Sequence, residues 1–329
     1  MTGLLSLPRV ELATTPTPLQ PAPRLSAAVG AEIWLKRDDL TGLGLGGNKV
    51  RALEYLLGAA LAQGCDCLVT GGGPQSNWVM LAALAARRVG LDPYLSCYGD
   101  AAPATGNRML AEQVGAEVTF TGDPDRTSVD PAIDLTADML RTAGRRPYVL
   151  PRGGATALAA VGYTRASLEL ADQLLRADLT PRQLWLATGS CATQAGLVAG
   201  ARWLSLPYDV VGVSVSRPVD ECVQRVCELA TGAATLIGAP GPHPAAVVVR
   251  GEHIGPGYGT RSAEGDAAAR LVARTEGVFL DPVFAAKAMA GLLAGLVAGR
   301  GADDRRGGPV VFLVSGGAPT LFTITGPAA

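Results

Sequence analysis

Strand-like and helix-like segments alternate along almost the whole chain, separated by short turns rich in glycine. This alternation restricts the fold more than any other feature. A strand, a helix and a second strand close most readily as a right-handed crossover, and a succession of them builds a largely parallel sheet with helices on its faces. Strand patterns fall at Glu32–Arg37, Cys65–Val69, Pro93–Tyr98, Glu117–Phe120, Tyr148–Leu150, Leu184–Ala187, Val210–Val215 and Val310–Val314. Helical patterns fall at Val50–Gln63, Ser76–Val89, Thr105–Val114, Asp134–Ala143, Leu158–Arg176, Thr193–Trp203, 217–230, Ala267–Thr275 and Phe284–Ala298. Residues 1–30 read as an extended, proline-rich lead, and residues 236–260 as irregular. The fold class is α/β, with two open twisted sheets. A smaller domain, residues 51–155, is inserted into a larger one formed by residues 1–50 and 156–329. A chain of 329 residues is long enough for both.

The net charge of −1 gives no reason to expect nucleic acid or an anionic membrane as a partner. The N-terminus lacks a basic region followed by an apolar run, so no signal peptide is read there. Val283–Gly299 is apolar but short and interrupted by Lys287, which suits a buried helix better than a membrane span. A cytoplasmic location is the expectation. The six cysteines read as thiols, and with only two histidines and no CxxC no metal site is expected. The chain has only three lysines, Lys36, Lys49 and Lys287, so chemistry that needs a primary amine has three candidates.

Lys49 follows the run Gly42-Leu-Gly-Leu-Gly-Gly47 and opens a helix. The run fits GxGxxG in form, but no buried strand precedes it, and a phosphate-binding P-loop would need Gly before the lysine and Ser or Thr after it. An amine that forms an imine must be deprotonated part of the time and needs room for a planar ring beside it; burial and glycines supply these. The same residues also suit an ordinary lysine at a helix start. Three further loops carry chemical potential. Gly71–Asn77 (GGGPQSN) joins a strand to a helix and can present free N–H groups to a carboxylate, or be a capped turn. Thr188–Gly196 (TGSCATQAG) offers backbone N–H groups and hydroxyls to a phosphate, or is a plain turn. Ser315 ends the last strand at the carboxyl edge of the sheet, where ligands bind. Tyr258 lies in the glycine-rich GPGYG and serves either packing or chemistry.

Together these residues resemble the fold-type II (tryptophan synthase β-like) pyridoxal phosphate (PLP) enzymes of the D-cysteine desulfhydrase and 1-aminocyclopropane-1-carboxylate (ACC) deaminase family. The segments LKRDDLTGLGLGGNKVRALEYLL, GGGPQSN, ATGSCATQAGL, GPGYG, ARTEGVFLDPVF and SGGAPTLF carry the likeness, in family order. The resemblance implies PLP as cofactor, held by Lys49 as a Schiff base, with Lys49 also moving the substrate proton. It implies that Asn77 bonds the cofactor 3′-oxygen, that Thr188, Gly189, Ser190, Cys191, Ala192 and Thr193 hold its phosphate, and that Ser315 faces the pyridine nitrogen. Ser76 and Tyr258 are the further catalytic candidates. Gln75, Ser76, Asn77, Trp78 and Phe284 are the substrate-binding candidates. A homodimer is common in the family and is expected here.

Three departures bear on the reaction. Trp78 stands where the family usually has histidine. Phe284 stands where it usually has tyrosine. Ala285 stands where the deaminases have a glutamate near the pyridine nitrogen, a loss that argues against ACC ring opening. The expected activity is β-elimination on a small, sulfur-bearing amino acid resembling D-cysteine, giving pyruvate and ammonia. ACC-type deamination, β-replacement or cysteate lysis is the enzymatic alternative, and a PLP-binding protein without turnover is the other.

Overall fold

The structure, a computed structural model, describes residues 2–299 and 308–323; parts of the expected 156–329 segment, 300–307 and 324–329, lie outside them. The chain begins with α1 (Thr2–Ser6), β1 (Leu19–Pro21), α2 (Pro23–Val29) and β2 (Ile33–Arg37). The first 30 residues are therefore more regular than their prolines suggest. Pro23 opens a helix, where its missing N–H costs nothing. Next come α3 (Lys49–Ala62), β3 (Cys67–Gly72), α4 (Asn77–Arg88), β4 (Asp92–Cys97), α5 (Gly106–Gln113), β5 (Glu117–Phe120), α6 (Val129–Thr142) and β6 (Pro147–Val149). Their strands form a parallel sheet in the order β5-β4-β3-β6. The chain then runs through α7 (Ala157–Arg176), β7 (Gln183–Thr188), α8 (Ala192–Trp203), β8 (Asp209–Ser214), α9 (Val219–Ile237), β9 (Val248–Arg250), α10 (Ala263–Glu276), α11 (Ala285–Gly299) and β10 (Val310–Val314). These strands join β1 and β2 in a six-stranded sheet, β1-β2-β10-β7-β8-β9, in which only β1 is antiparallel. The α/β class and the two largely parallel sheets agree with the sequence. Helix α6 starts at Val129 instead of Asp134, α9 continues to Ile237, and β9 lies within the stretch read as irregular.

The last strand is central. Val310 pairs with Ile33 on one side and Gln183 on the other, and all five β10 residues are buried. An unbroken apolar run suits a strand with helices on both faces. Alternate side chains serve the two faces: Val311 and Leu313 pack with α7, α8 and α9, whereas Val310, Phe312 and Val314 pack with α2, α10 and α11. The parallel strands β2, β10 and β7 end at one edge, so the loops that follow them converge there. We propose that residues 51–155 form the smaller domain, with α3 shared between the two. Tyr55 joins the core beneath the large sheet, and Val50, Leu53, Leu56 and Leu57 join that of the small one.

A buried ion cluster fixes α3. Arg51 donates to both oxygens of Asp38, at 2.8 and 2.9 Å, and to both of Glu169, at 2.9 Å each. Asp38 also accepts from Thr17 Oγ1 at 2.6 Å and from the Tyr163 hydroxyl. Lys36 is paired with Glu169 and donates to Thr17 O and Gln173 Oε1 at 2.8 Å each. Two acids and two bases from β2, the turn after it, α3 and α7 are thus neutralised together. Burial pushes the Asp38 carboxyl up, but the Arg51 guanidinium outweighs it and holds the group below its ordinary value. Arg51→Ala would leave Asp38 buried without its partner. It should cost about 3–5 kcal/mol of stability, read from the urea midpoint. Arg176→Ala, which breaks the solvent-exposed Asp172 pair, should cost about 0–1 kcal/mol. Equal losses would show that the cluster carries no special weight.

Candidate active site

A cavity of about 660 Å³, counted to its open mouth, lies among these loops. Lys49, Ser76, Asn77, Trp78, Thr188, Gly189, Ser190, Cys191, Thr193, Tyr258, Phe284 and Ser315 all line it, together with Asn48, Gly153, Ala187 and Gln194. Segments from opposite ends of the chain, from Asn48 to Ser315, thus share one space.

Lys49 is the first residue of α3 and half-buried. The glycine turn before it is compact. Gly46 has φ 72°, and a Cβ there would lie 2.0 Å from the Asp39 carbonyl, so only glycine fits. Thr41 Oγ1 accepts from Gly47 N at 2.8 Å and donates to Gly47 O at 3.0 Å. Asn48 N donates to Ser315 O at 2.9 Å, which joins the lysine turn to the end of β10. Loss of solvation pushes the Lys49 ammonium down to about 8, so an appreciable fraction is neutral amine at neutral pH.

The turn before α8 is the part of the site that could hold an anion. Cys191, its N-cap, has φ 76°, an unusual left-handed conformation for a residue with a Cβ. The carbonyls of Gly189 and Ser190 accept from Arg217 Nε at 3.2 Å and Arg225 Nε at 3.3 Å. With the carbonyls engaged outside, the N–H groups of the turn and the first turn of α8 are left for the cavity. Thr193 Oγ1 accepts from Asn48 Nδ2 at 3.0 Å. The hydrogen bond with Cys222, and burial, hold the Cys191 thiol protonated, so it sets no negative charge against a phosphate. Nothing local in the sequence marks Arg217, Arg225 or Asn48 for these tasks.

Asn77 shares the cavity edge with Ser76, the N-cap of α4, whose Oγ accepts from Val79 N at 3.4 Å. Asn107, from α5, donates its amide to Asn77 Oδ1 at 2.7 Å and Gln75 O at 2.8 Å. This leaves the Asn77 amide nitrogen for a ligand; Asn107 was not singled out by its sequence. Gln75 departs from expectation. It does not line the cavity, because its side chain donates to Thr105 O at 2.9 Å and accepts from Asn107 N at 3.0 Å. Ala192 likewise offers the cup only backbone. Trp78 lines the cavity, but its indole N–H is spent on Thr70 Oγ1 at 2.9 Å. Tyr258 stands 37% exposed at the mouth, edge-on to Phe284 at 6.0 Å between centroids. The protein around its phenol pushes it up to about 12, so it keeps its proton. Lys36 and Lys287 are buried elsewhere, which leaves Lys49 as the amine in the cavity.

A partly neutral amine, an N–H cup for a dianion, a free amide and the Ser315 hydroxyl together fit a phosphorylated pyridine aldehyde. The residues present therefore suit PLP on the fold-type II plan. The comparisons agree. The family model "Pyridoxal-phosphate dependent enzyme" matches residues 10–316. D-cysteine desulfhydrases of Klebsiella pneumoniae subsp. pneumoniae and Serratia proteamaculans are 38% and 39% identical; the first covers 97% of both chains, the second 97% of this chain and 96% of its own. The crystal structure of an ACC deaminase homologue superposes with a TM-score of 0.89 at 35% identity, over 98% of this chain and 95% of that one. A fungal L-serine ammonia-lyase from Rhizomucor miehei shares the fold, with a TM-score of 0.67 at 19% identity over 91% and 93%. The chain belongs to the pyridoxal-phosphate dependent enzyme family, and PLP is its cofactor.

The depressed Lys49 value has a kinetic consequence. Only the neutral amine captures an aldehyde, so the rate at which cofactor-free protein takes up PLP should rise about tenfold per pH unit up to about pH 8 and then level off. An ordinary lysine would go on gaining until about pH 10.4. Stopped-flow absorbance of uptake across about pH 6–10, a window that brackets the first value and approaches the second, distinguishes the two.

Proposed function

We propose that this enzyme is a lyase that removes the β-substituent of a small amino acid, with D-cysteine the favoured substrate. The balanced reaction is cysteine plus water to pyruvate, hydrogen sulfide and ammonia. One observation carries this reading. Among the described residues, the cavity is lined by an amine, amides, hydroxyls and rings, and by no carboxylate. A substrate carboxylate is therefore unopposed, and Ser315 is a neutral partner for the pyridine nitrogen. Ala285, at the deaminase glutamate position, is buried and does not line the cavity. The names of the relatives, D-cysteine desulfhydrases, support the substrate class.

PLP supplies the electron sink for the α-carbon when bound. The chain's own groups do the rest. Lys49 takes the α-proton at its Nζ, which its low pKa allows at neutral pH. The free N–H groups of the first turn of α4, beside Ser76, hold the substrate carboxylate. Asn77, oriented by Asn107, holds the cofactor's oxygen, and the α8 cup holds its phosphate. Tyr258, protonated at neutral pH, donates a hydrogen bond to the departing sulfur, which leaves as hydrosulfide and takes its last proton from water. Trp78 and Phe284 shape the space around the β-substituent. A homodimer in the cytoplasm completes the proposal, and sedimentation tests the dimer.

D-cysteine, L-cysteine, cysteate and ACC should be assayed together. The expected outcome is sulfide from D-cysteine and no 2-oxobutyrate from ACC. Lys49→Ala should lower kcat by about 10²–10⁴-fold and abolish the visible absorption of the bound cofactor. 2-Oxobutyrate from ACC in preference to sulfide would overturn the substrate assignment. A visible spectrum unmoved by every amino acid tested would favour a PLP-binding protein without turnover.

A further inference from the structure

Lys287 is the third lysine, and the reaction described above does not use it. It is fully buried, at 0% exposure, in the first turn of α11. Both facts disfavour an ammonium there: burial removes its solvation, and the N-terminus of a helix is its positive end. Its neighbours Ala286, Ala288 and Met289 are buried and apolar, so a methionine would satisfy the packing. The ammonium is held by other means. Nζ donates to Ile254 O at 2.7 Å and Gly257 O at 2.8 Å, and the nearby Asp281 carboxylate offsets its charge.

Those two carbonyls belong to the loop between β9 and α10, which carries Tyr258. The loop is glycine-rich, and Gly255, Gly257 and Gly259 all have positive φ, at 65°, 136° and 80°. Such a segment has little intrinsic preference for one shape. Phe284, against which Tyr258 rests, is set by the same helix start, since Asp281 accepts from Phe284 N at 2.9 Å and Ala285 N at 2.8 Å. One short element therefore fixes both rings.

We propose that Lys287 is the positioning residue for Tyr258, its ammonium clasping the turn at Ile254 and Gly257 so that the phenol stands at the cavity. The proposal rests on the role given to Tyr258 above. The test is a double-mutant cycle on the PLP-loaded enzyme, joined to hydrogen exchange. Lys287→Met and Tyr258→Phe should each lower kcat for D-cysteine by about tenfold or more, with KM changed far less. The double variant should fall within about twofold of the poorer single one. Lys287→Gln, which keeps a donor, should recover part of the turnover, and serves if the methionine variant fails to fold. Exchange in residues 252–261 should rise in Lys287→Met, while the cofactor's visible spectrum and exchange across 183–203 stay as they are. Multiplying losses in the double variant, or unchanged exchange in 252–261, would overturn the proposal. A fully active Tyr258→Phe, or a wild type inert toward D-cysteine, would instead count against the proposed function, and the exchange result alone would then decide the place of Lys287.

Discussion

The bidentate clasp of Arg51 on Asp38 and Glu169 sets the frame for everything at the site. Arg51 lies two residues after Lys49, on the first turn of the same helix, and it is almost fully buried. Its planar fork fixes the rotation of α3 about its axis, because two carboxylates from two other elements must meet it at once. A lysine on that turn inherits the orientation. The clasp is costly to assemble, since four charges leave water together. Its use lies in specificity: α3 can sit in only one way between β2 and α7, and the amine then projects into only one space.

The rest of the site follows the same logic with backbone in place of charge. Among the described residues no arginine side chain lines the cavity; Arg217 and Arg225 take the carbonyls of the turn before α8 from outside. Arg217 is itself paired with Glu221, so its part is to occupy the Gly189 carbonyl and leave the N–H groups of the turn facing the cavity. Asn107 acts on Asn77 in a similar way, by occupying the acceptor end of its amide. In each case a residue outside the cavity settles which end of a polar group faces inward.

That indirectness explains what the sequence reveals and what it conceals. Lys49, the Gly71–Asn77 turn, the Thr188–Thr193 turn and Ser315 are legible because each sits at a strand or helix end marked by glycine and small polar residues. The alternation of strand and helix patterns likewise points to largely parallel sheets. Arg217, Arg225, Asn107 and Lys287 are not legible, because each acts across a tertiary contact with no local signature. Gln75 misleads for the same reason: it neighbours Ser76 in sequence, but its amide is drawn to Thr105 and Asn107. Strands β1 and β9 are three residues each and lie in stretches rich in proline and glycine, where so short a strand leaves no pattern; β6, equally short, is legible because it follows a clear helix.

The departures Trp78 and Phe284 change the site in one direction. Trp78 and Gly154 form a matched pair, since a Cβ at Gly154 would come within 2.1 Å of the indole ring. The indole fills space and gives its only donor to Thr70, so it adds no polar group to the cavity. Phe284 has no hydroxyl and presents an edge contact to Tyr258, with 72° between the rings. Two positions that could have carried protons are thus made apolar, and both now support neighbours. Of the three rings that line the cavity, Trp78, Tyr258 and Phe284, Tyr258 alone carries a hydroxyl, and it sits on a glycine-rich loop with little shape of its own. A site built this way places more weight on whatever holds that loop than one with two phenols would, and in this structure the loop is held by a buried ammonium.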